Sequence, residues 1–304
     1  MLDFLRSEGI DGELLRRIGE FRREYPADAG DRRVPQPHFH YYGNEIWKKA
    51  LTALLAGENI LLVGPKATGK NVLAENLAAV FQRPQWDISF YLNTDAASLI
   101  GTDTFRNGEV ALREGPITQC AKAGGFGVLD EINMAKNESL AVLHATLDFR
   151  RIIDVPGYDR IALAPATRFI ATMNYGYAGT RELNEALASR FMVIQMPIIS
   201  VENLKKLLRA QFPTLREEFA DQLALLFGEI RKKCESAEIS TKALDLRGLL
   251  ASVSLVANGL NLGDALDLGI VNKSFDDFER QLVHDILAAR IDGSATRTEL
   301  FAAS

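Results

Sequence analysis

A glycine-rich segment between an apolar run and a helical pattern constrains this chain more than any other feature of its sequence. The apolar run is NILLV at 59–63, and the segment is GPKATGKN at 64–71. After it, NVLAENLAAVF at 71–81 repeats its apolar residues at helical spacing. An apolar run without polar alternation is typical of a strand buried on both faces, as in a parallel sheet. The sequence therefore predicts a strand, a tight loop and a helix in succession.

The spacing of glycine and lysine in this segment is suited to binding phosphate. Gly64 and Gly69 permit a tight turn and a close backbone approach, so that successive N–H groups can point at an anion. The start of the following helix adds partial positive charge, and Lys70 is placed to reach the β- and γ-phosphates. We therefore predict that a nucleoside triphosphate is held by eight consecutive residues: Gly64, Pro65, Lys66, Ala67, Thr68, Gly69, Lys70 and Asn71.

The last residue of the segment departs from the usual pattern. A Ser or Thr hydroxyl normally contacts Mg²⁺ where this chain has Asn71. The Asn carbonyl oxygen is also a hard donor that Mg²⁺ accepts. Two outcomes remain open. Asn71 holds the ion, directly or through one of its waters, or the ion binds poorly and the loop holds nucleotide without turnover.

A second apolar run ends in two adjacent carboxylates. GFGVLD at 125–130 is followed by Glu131, so that Asp130 and Glu131 stand at the end of a predicted strand. At the carboxyl end of a parallel strand, Asp130 is placed to bind Mg²⁺, generally through water. Glu131 is placed to polarise an attacking water.

The arrangement of the remaining segments predicts the fold class. Apolar runs recur as WDISF at 86–90, RFIATMN at 168–174 and FMVIQM at 191–196, with helical stretches such as ESLAVLHATLD at 138–148 between them. This alternation indicates a doubly wound α/β sheet. Beyond Pro197 the apolar runs stop, and the rest of the sequence is helical in pattern.

Taken together, these motifs resemble the AAA+ ATPases, and specifically the MoxR-like and dynein-related group that includes the CbbQ, NorQ and gas-vesicle GvpN proteins. GPKATGKN resembles Walker A and FGVLDEIN resembles Walker B. REGPITQCAKAGGFGVLDEIN is similar to that group's lead-in, and ATMNYGYAGTRELNEALASRF to its sensor 1 and arginine-finger segment. The resemblance covers about residues 38–255.

The resemblance implies a P-loop AAA+ fold, in which a doubly wound parallel five-stranded sheet is followed by a C-terminal helical lid. We expect an N-terminal helical appendage and linker at 1–37, the α/β nucleotide-binding core at 38–197 and the helical lid at 198–304.

The same resemblance assigns roles to residues outside the loop. Asn174 matches sensor 1, whose amide bonds the γ-phosphate or the attacking water. Arg190 matches the arginine finger, which acts on the nucleotide of a neighbouring subunit and so implies a ring. For sensor 2, Arg247 is favoured and Lys242 is the alternative. The implied catalytic set is Glu131, Asn174, Arg190 and Arg247, and the implied ligands are ATP and Mg²⁺, with Asn71 and Asp130 at the metal.

Relatives of this kind work as ATP-driven remodelling rings. The expected assembly is a homo-hexamer, and the expected partner is a separate von Willebrand factor A domain protein or a metalloenzyme client. Two insertions, at 101–116 with Asn107-Gly108 and at 150–165 with Pro156-Gly157, are predicted hairpins. In relatives such hairpins line a central pore.

Two other functions remain as alternatives. The first is a nucleic-acid-associated NTPase of the McrB or MCM kind. The net charge of −5 and the lack of a recognisable DNA-reading module argue against it. The second is an ATP-binding scaffold with negligible turnover, for which Asn71 is the only support. No basic leader and no run of about 18 apolar residues is present, so we expect a cytoplasmic protein without a membrane partner.

Overall fold

The computed structural model describes residues 1–28, 30–106, 108–175 and 182–302, without the side chain of Arg106. The chain divides into two compact units, Met1–Pro197 and Ile198–Ser304. Of the sequence features interpreted above, Asn107 and the residues 176–181 that follow sensor 1 lie outside the described residues. No helix in the described ranges is long and apolar enough to cross a membrane.

The strands of the first unit form one central sheet and two hairpins. Their bounds are Ile60–Val63 (β1), Gln85–Ser89 (β2), Gly101–Arg106 (β3), Glu109–Glu114 (β4), Phe126–Asp130 (β5), Ile152–Ile153 (β6), Ile161–Ala162 (β7), Arg168–Met173 (β8) and Met192–Gln195 (β9). The central sheet has the order β2-β5-β8-β1-β9, and every pairing in it is parallel. The predicted α/β fold with a parallel five-stranded sheet is therefore confirmed.

Strand register brings the ends of these strands to one edge. Leu62 of β1 pairs with Thr172 of β8, and Ser89 of β2 pairs with Asp130 of β5. Because all five strands are parallel, their carboxyl ends meet at the same edge of the sheet. Polar residues that follow β1, β5 and β8 are consequently neighbours, although they are far apart in sequence.

Helices cover both faces of the sheet. Those of the first unit are Leu2–Ser7 (α1), Gly12–Glu24 (α2), Asn44–Leu55 (α3), Lys70–Phe81 (α4), Ala96–Ile100 (α5), Pro116–Ala123 (α6), Asn137–Leu140 (α7), His144–Leu147 (α8) and Glu185–Ala188 (α9). Alternate residues of β1 belong to different clusters: Ile60 and Leu62 pack in one, and Leu61 and Val63 in the other. Side chains on a strand alternate between faces, so the two clusters are the two covered faces of a doubly wound sheet.

The N-terminal helices contribute to one of these cores. Leu14, Ile18 and Phe21 of α2 are buried in the same cluster as α3 and α4. The guanidinium of Arg22 donates to the carbonyl of Val80 at 2.7 Å, and that of Arg83 donates to the carbonyl of Tyr25 at 2.7 Å. Residues 1–28 therefore pack as part of the first compact unit.

The two hairpins are joined by a side-chain contact. The hydroxyl of Tyr158, between β6 and β7, donates to Asp103 Oδ1 on β3 at 2.7 Å. Phe105 and Val110 pair across β3 and β4, and both side chains are exposed. Gly108, which directly precedes β4, has φ +86°.

The second unit is built from helices. They are Val201–Gln211 (α10), Glu217–Glu235 (α11), Leu246–Ala257 (α12), Leu262–Gly269 (α13), Asp277–Ala288 (α14) and Arg297–Leu300 (α15). Helices α12 and α13 approach closely because both carry glycine at the contact. A Cβ on Gly248 would lie 1.9 Å from the carbonyl oxygen of Gly269. The hydroxyl of Ser252 donates across the same contact to the carbonyl of Ala265 at 2.7 Å.

Candidate nucleotide site

The glycine-rich loop connects β1 to α4 in the predicted order. Gly64 is required by space, because a Cβ there would lie 2.7 Å from the carbonyl oxygen of Met196. Gly69 is required for two reasons. It precedes α4 at φ +81°, which favours glycine, and a Cβ there would lie 3.1 Å from the ring of Tyr41. The loop thus opens directly into a helix N-terminus, where the first N–H groups of the helix have no partner within it.

Lys70 folds back over the loop. Its Nζ donates to the carbonyls of Gly64 at 2.9 Å and Pro65 at 2.7 Å, and the side chain is buried. Burial lowers the pKa of Lys70 to about 8, and the nearby Asp130 and Glu131 oppose that shift. A triphosphate bound in the loop would replace these backbone acceptors with phosphate oxygens.

Asp130 is held on both of its carboxylate oxygens. Oδ1 accepts a hydrogen bond of 2.6 Å from the hydroxyl of Thr172 on β8. Oδ2 accepts one of 3.0 Å from Nδ2 of Asn71, in the first turn of α4. The carboxylate therefore joins the carboxyl edge of the sheet to the start of the helix that follows the loop.

Glu131 leaves the strand in an unusual backbone conformation. Its φ and ψ are 54° and 44°, the left-handed region that costs a non-glycine residue free energy. Its N–H donates to the Thr172 hydroxyl at 3.0 Å, and its Oε1 accepts from Nδ2 of Asn174 at 3.0 Å. The carbonyl of Asn174 in turn accepts from Nδ2 of Asn133 at 2.9 Å. The carboxylate predicted to act on water is thus in contact with the amide predicted to be sensor 1.

The side chains at this edge fit a magnesium ion. Asn71 uses its NH₂ group on Asp130, so its carbonyl oxygen is the atom it can offer to a cation. The opposite amide orientation would set two oxygens against each other. Each oxygen of Asp130 retains a lone pair for a metal-bound water. A carboxylate and an amide oxygen match the hard-donor preference of Mg²⁺, which keeps several waters in protein sites.

Arg190 lies with a different set of residues. Its Nε donates to the carbonyl of His144 at 3.0 Å, and Nη1 bonds the carbonyl of Ala186. Its Nη2 lies 3.4 Å from Oδ2 of Asp148. Hydrogen bonding from Arg150 lowers the pKa of Asp148 to about 2. None of these partners belongs to the loop or to the ends of β5 and β8. Arg190 precedes β9 on the side where Met192 pairs with Ile60, the first residue of β1, whereas the loop follows the other end of β1.

The two candidates for sensor 2 both lie in the second unit. Arg247 is the second residue of α12, where its N–H bonds the Asp245 side chain that caps the helix. The N–H of Lys242 donates to the Ser240 hydroxyl at 3.3 Å. Both side chains are exposed, and the preference for Arg247 stays a prediction.

Thr172 was not singled out in the sequence, although it contacts both carboxylate residues. It stands two positions before Asn174, which directly follows the end of β8 at Met173. A signal was present, because Thr172 is a polar residue near the carboxyl end of the apolar run RFIATMN. In a strand, however, Thr is an ordinary β-branched residue.

The fold and the site together define a P-loop protein of the AAA+ class. Residues 59–191, which include the loop, both carboxylates and Asn174, match the family described as the AAA domain of the dynein-related subfamily. YojN of Bacillus subtilis strain 168, an uncharacterized protein, is 36% identical over 242 residues, which cover 78% of this chain and 79% of YojN. The chain therefore belongs to the AAA+ family, with an AAA domain of the dynein-related subfamily.

Two further proteins are similar to this chain at lower sequence identity. An uncharacterized protein of Staphylococcus saprophyticus is 34% identical over 245 residues, covering 78% of this chain and 92% of its own. Among solved structures, a RuvB mutant of Thermotoga maritima has a TM-score of 0.43 at 19% identity, over 64% of each chain.

Proposed function

We propose that this protein is a MoxR-like ATPase that binds and hydrolyses ATP with Mg²⁺ in a homo-hexameric ring and uses the cycle to remodel or activate a partner protein. Membership of the AAA+ family supports an ATP-dependent activity. The observation that carries the proposal is the contact network of Asn71, Asp130, Thr172, Glu131 and Asn174 beside the loop.

In the proposed mechanism the loop supplies charge and orientation. Backbone N–H groups of residues 66–70 and the ammonium of Lys70 bind the phosphates. Asn71 and Asp130 would hold Mg²⁺, which would neutralise phosphate charge. When nucleotide binds, Lys70 exchanges its bonds to the carbonyls of Gly64 and Pro65 for bonds to phosphate oxygens.

Glu131 and Asn174 form the water side of the site. Glu131 accepts the proton of the attacking water, for which its carboxylate must be ionised and correctly aimed. Asn174 holds Oε1 of that carboxylate at 3.0 Å, which leaves Oε2 for the water. The amide of Asn174 therefore orients the base, and the same amide can turn to a γ-phosphate oxygen once nucleotide is present.

Arg190 serves the neighbouring subunit in this proposal. A guanidinium that reaches the γ-phosphate stabilises the charge of the transition state, and it can be supplied by another chain. Arg190 precedes the amino end of β9, which pairs with the amino end of β1, whereas the loop follows the carboxyl end of β1, and this placement is compatible with that role. Arg247, or Lys242 in its place, acts as the second sensor, and a von Willebrand factor A domain protein or a metalloenzyme is the proposed partner.

A concentration series of Mg²⁺-dependent ATP hydrolysis tests the proposal. Wild-type turnover per chain should rise as the protein assembles, and Glu131→Gln should abolish it while keeping nucleotide binding. Size measurement in the same solutions, with ATP and without, shows whether the rise follows ring formation. Turnover that is unchanged in Glu131→Gln would sink the assignment of the base.

A nucleotide-binding scaffold is the second candidate, and one contact favours it. The amide of Asn71 donates to Asp130 Oδ2, whereas a Ser or Thr at this position would offer a hydroxyl to the ion. If the protein is a scaffold, we expect tight ATP binding and no turnover at any protein concentration, and we expect Asn71→Thr to restore hydrolysis. For the ATPase, wild type is active and Asn71→Thr changes the rate only modestly.

A further inference from the structure

The hydroxyl of Thr172 is bonded on both sides to the two carboxylate residues of the site. It donates to Oδ1 of Asp130 at 2.6 Å and accepts the N–H of Glu131 at 3.0 Å. A hydroxyl has one proton to give, and here that proton goes to a carboxylate. Thr172 is completely buried on β8, so no solvent competes for either bond.

Other buried threonines of the first unit are bonded differently. The hydroxyl of Thr167 donates to the carbonyl of Ala121 at 3.0 Å, and that of Thr118 donates to the carbonyl of Ile100 at 2.7 Å. Those bonds satisfy backbone acceptors and tie elements together. Only Thr172, among these three, gives its proton to an ionisable side chain.

Each of the two bonds of Thr172 fixes a different property. The bond to Asp130 restricts rotation of the carboxylate, whose other oxygen is held by Asn71. The bond from Glu131 satisfies an N–H at the residue where the backbone turns into the left-handed region. It therefore stabilises the turn that sets the direction of the Glu131 side chain.

We propose that Thr172 is a positioning residue that aligns Asp130 for the metal and Glu131 for the attacking water through one hydroxyl group. The inference rests on the proposed function, because it assigns a task within that same site. Such outer contacts change metal affinity or activity by about 10- to 100-fold when they are removed from other metal sites.

The test compares full-length Thr172→Val, Thr172→Ser and Thr167→Val. Valine keeps the branched shape and removes the hydroxyl, whereas serine keeps the hydroxyl. Thr167→Val removes a buried hydroxyl that lies immediately before β8 and donates to the carbonyl of Ala121 instead of a carboxylate. Binding of a fluorescent ADP analogue is titrated at a series of Mg²⁺ concentrations and also without Mg²⁺. Hydrolysis gives kcat and KM, and thermal unfolding gives the midpoint.

Thr172→Val should raise the Mg²⁺ concentration for half-maximal nucleotide binding by about tenfold or more and lower kcat by a similar factor. Affinity without Mg²⁺ should stay at the wild-type value, because Lys70 and the loop are unchanged. Thr172→Ser should restore the Mg²⁺ dependence and kcat. Thr167→Val should lower the unfolding midpoint and leave the Mg²⁺ dependence of binding and kcat unchanged.

Two results would overturn the proposal. In one, Thr172→Val has the same Mg²⁺ dependence and kcat as Thr167→Val. In the other, Thr172→Ser is as impaired as Thr172→Val, which would assign the effect to packing. If Thr172→Val gives no soluble protein, Thr172→Ala repeats the comparison without the second methyl group. Wild type without hydrolysis would refute the proposed function alone, since the Mg²⁺ dependence of binding still tests the bond from Thr172 to Asp130.

Discussion

The amide nitrogen of Asn71 lies 3.0 Å from Oδ2 of Asp130, so the loop and the end of β5 are bonded directly to each other. A Ser or Thr at position 71 has a single hydroxyl, so the atom that donates to this carboxylate and the atom that faces a metal would be the same oxygen. The Asn side chain has both atoms, because its NH₂ and its carbonyl oxygen are distinct. Asn71 is therefore suited to hold the carboxylate and to face the ion at once.

Removing that side chain should weaken metal-dependent binding more than nucleotide binding itself. Asn71→Ala loses the bond to Asp130 and the candidate metal oxygen, and we expect the half-saturating Mg²⁺ concentration for ATP binding to rise about 10- to 100-fold. Affinity measured in EDTA should change little, since the loop N–H groups and Lys70 remain. Asn71→Thr is the matched control, because it regains a hydroxyl ligand. Equal losses with and without Mg²⁺ would contradict the metal role.

Triphosphate binding should depend on pH through Lys70. Burial lowers its pKa to about 8 in the nucleotide-free protein, so the ammonium is charged below that pH and neutral above it. Only the charged form attracts the phosphates. Apparent affinity should therefore fall as pH rises through 8, approaching about tenfold per unit at high pH, since each unit removes a further factor of ten from the charged form.

The measurement is a nucleotide titration between about pH 7.5 and 9.5, a range that spans the shifted pKa of Lys70. Lys70→Met provides the comparison, because it has no proton to lose at this position. Its binding should be weak and independent of pH in that range. Wild-type affinity that is flat across the same range would show that Lys70 is not the group that titrates.

Two inactive variants should restore hydrolysis when they are mixed, if Arg190 acts on a neighbouring subunit. Arg190→Ala keeps Glu131 and the loop, whereas Glu131→Gln keeps Arg190. In a mixed ring, an Arg190→Ala chain beside a Glu131→Gln chain forms a complete site at their contact. We expect each variant alone to lose about 10³-fold or more of its rate, as for arginine fingers elsewhere, and mixtures to recover a readily measured part.

Assembly of the mixture is the control for that experiment. Tagged copies of one variant should co-purify with untagged copies of the other in the presence of ATP. Mixed rings that form and stay inactive would place Arg190 in a structural role, in which it ties α8 to α9 through its bonds to the carbonyls of His144 and Ala186.

The N-terminal helices should contribute directly to the stability of the first unit. Ile18 of α2 is completely buried in the core that contains α3 and α4. Ile18→Ala should lower the free energy of unfolding by about 2–5 kcal/mol, the usual range for deletion of a buried aliphatic side chain. Arg17→Ala, at the exposed neighbouring position, should change it by less than about 0.5 kcal/mol. Chemical denaturation monitored by tryptophan fluorescence measures both, and equal values would mean that α2 is only loosely attached.

Sequence alone predicts the parallel sheet and the loop because both depend on short, contiguous patterns. The apolar run 59–63 and the glycine spacing after it determine β1, the turn and the start of α4 without reference to the rest of the chain. Asp130 ends β5 and Asn174 follows β8, and these strands are neighbours in the same sheet, so their proximity is a consequence of parallel pairing. These parts of the site required no knowledge of tertiary contacts.

Other features depend on contacts that a one-dimensional pattern does not contain. ESLAVLHATLD at 138–148 has the apolar spacing of one helix, but the structure has Asn137–Leu140, a 3₁₀ turn at Ala141–Leu143 and His144–Leu147. Spacings of three and four residues both keep the apolar residues on one side, so the pattern cannot distinguish these helix types. Likewise, no local pattern contains the core shared with α3 and α4, against which α2 packs.

The hydrogen bond from Tyr158 to Asp103 joins two hairpins whose residues are separated by 55 positions in the chain. A force that displaces either hairpin is therefore transmitted to the other hairpin for as long as this hydrogen bond remains. Phe105 and Val110 are exposed near the end of the first hairpin, and that hairpin is held by the second hairpin through this hydrogen bond. A force applied at Phe105 and Val110 would therefore be transmitted to the rest of the first unit through the chain connections of both hairpins.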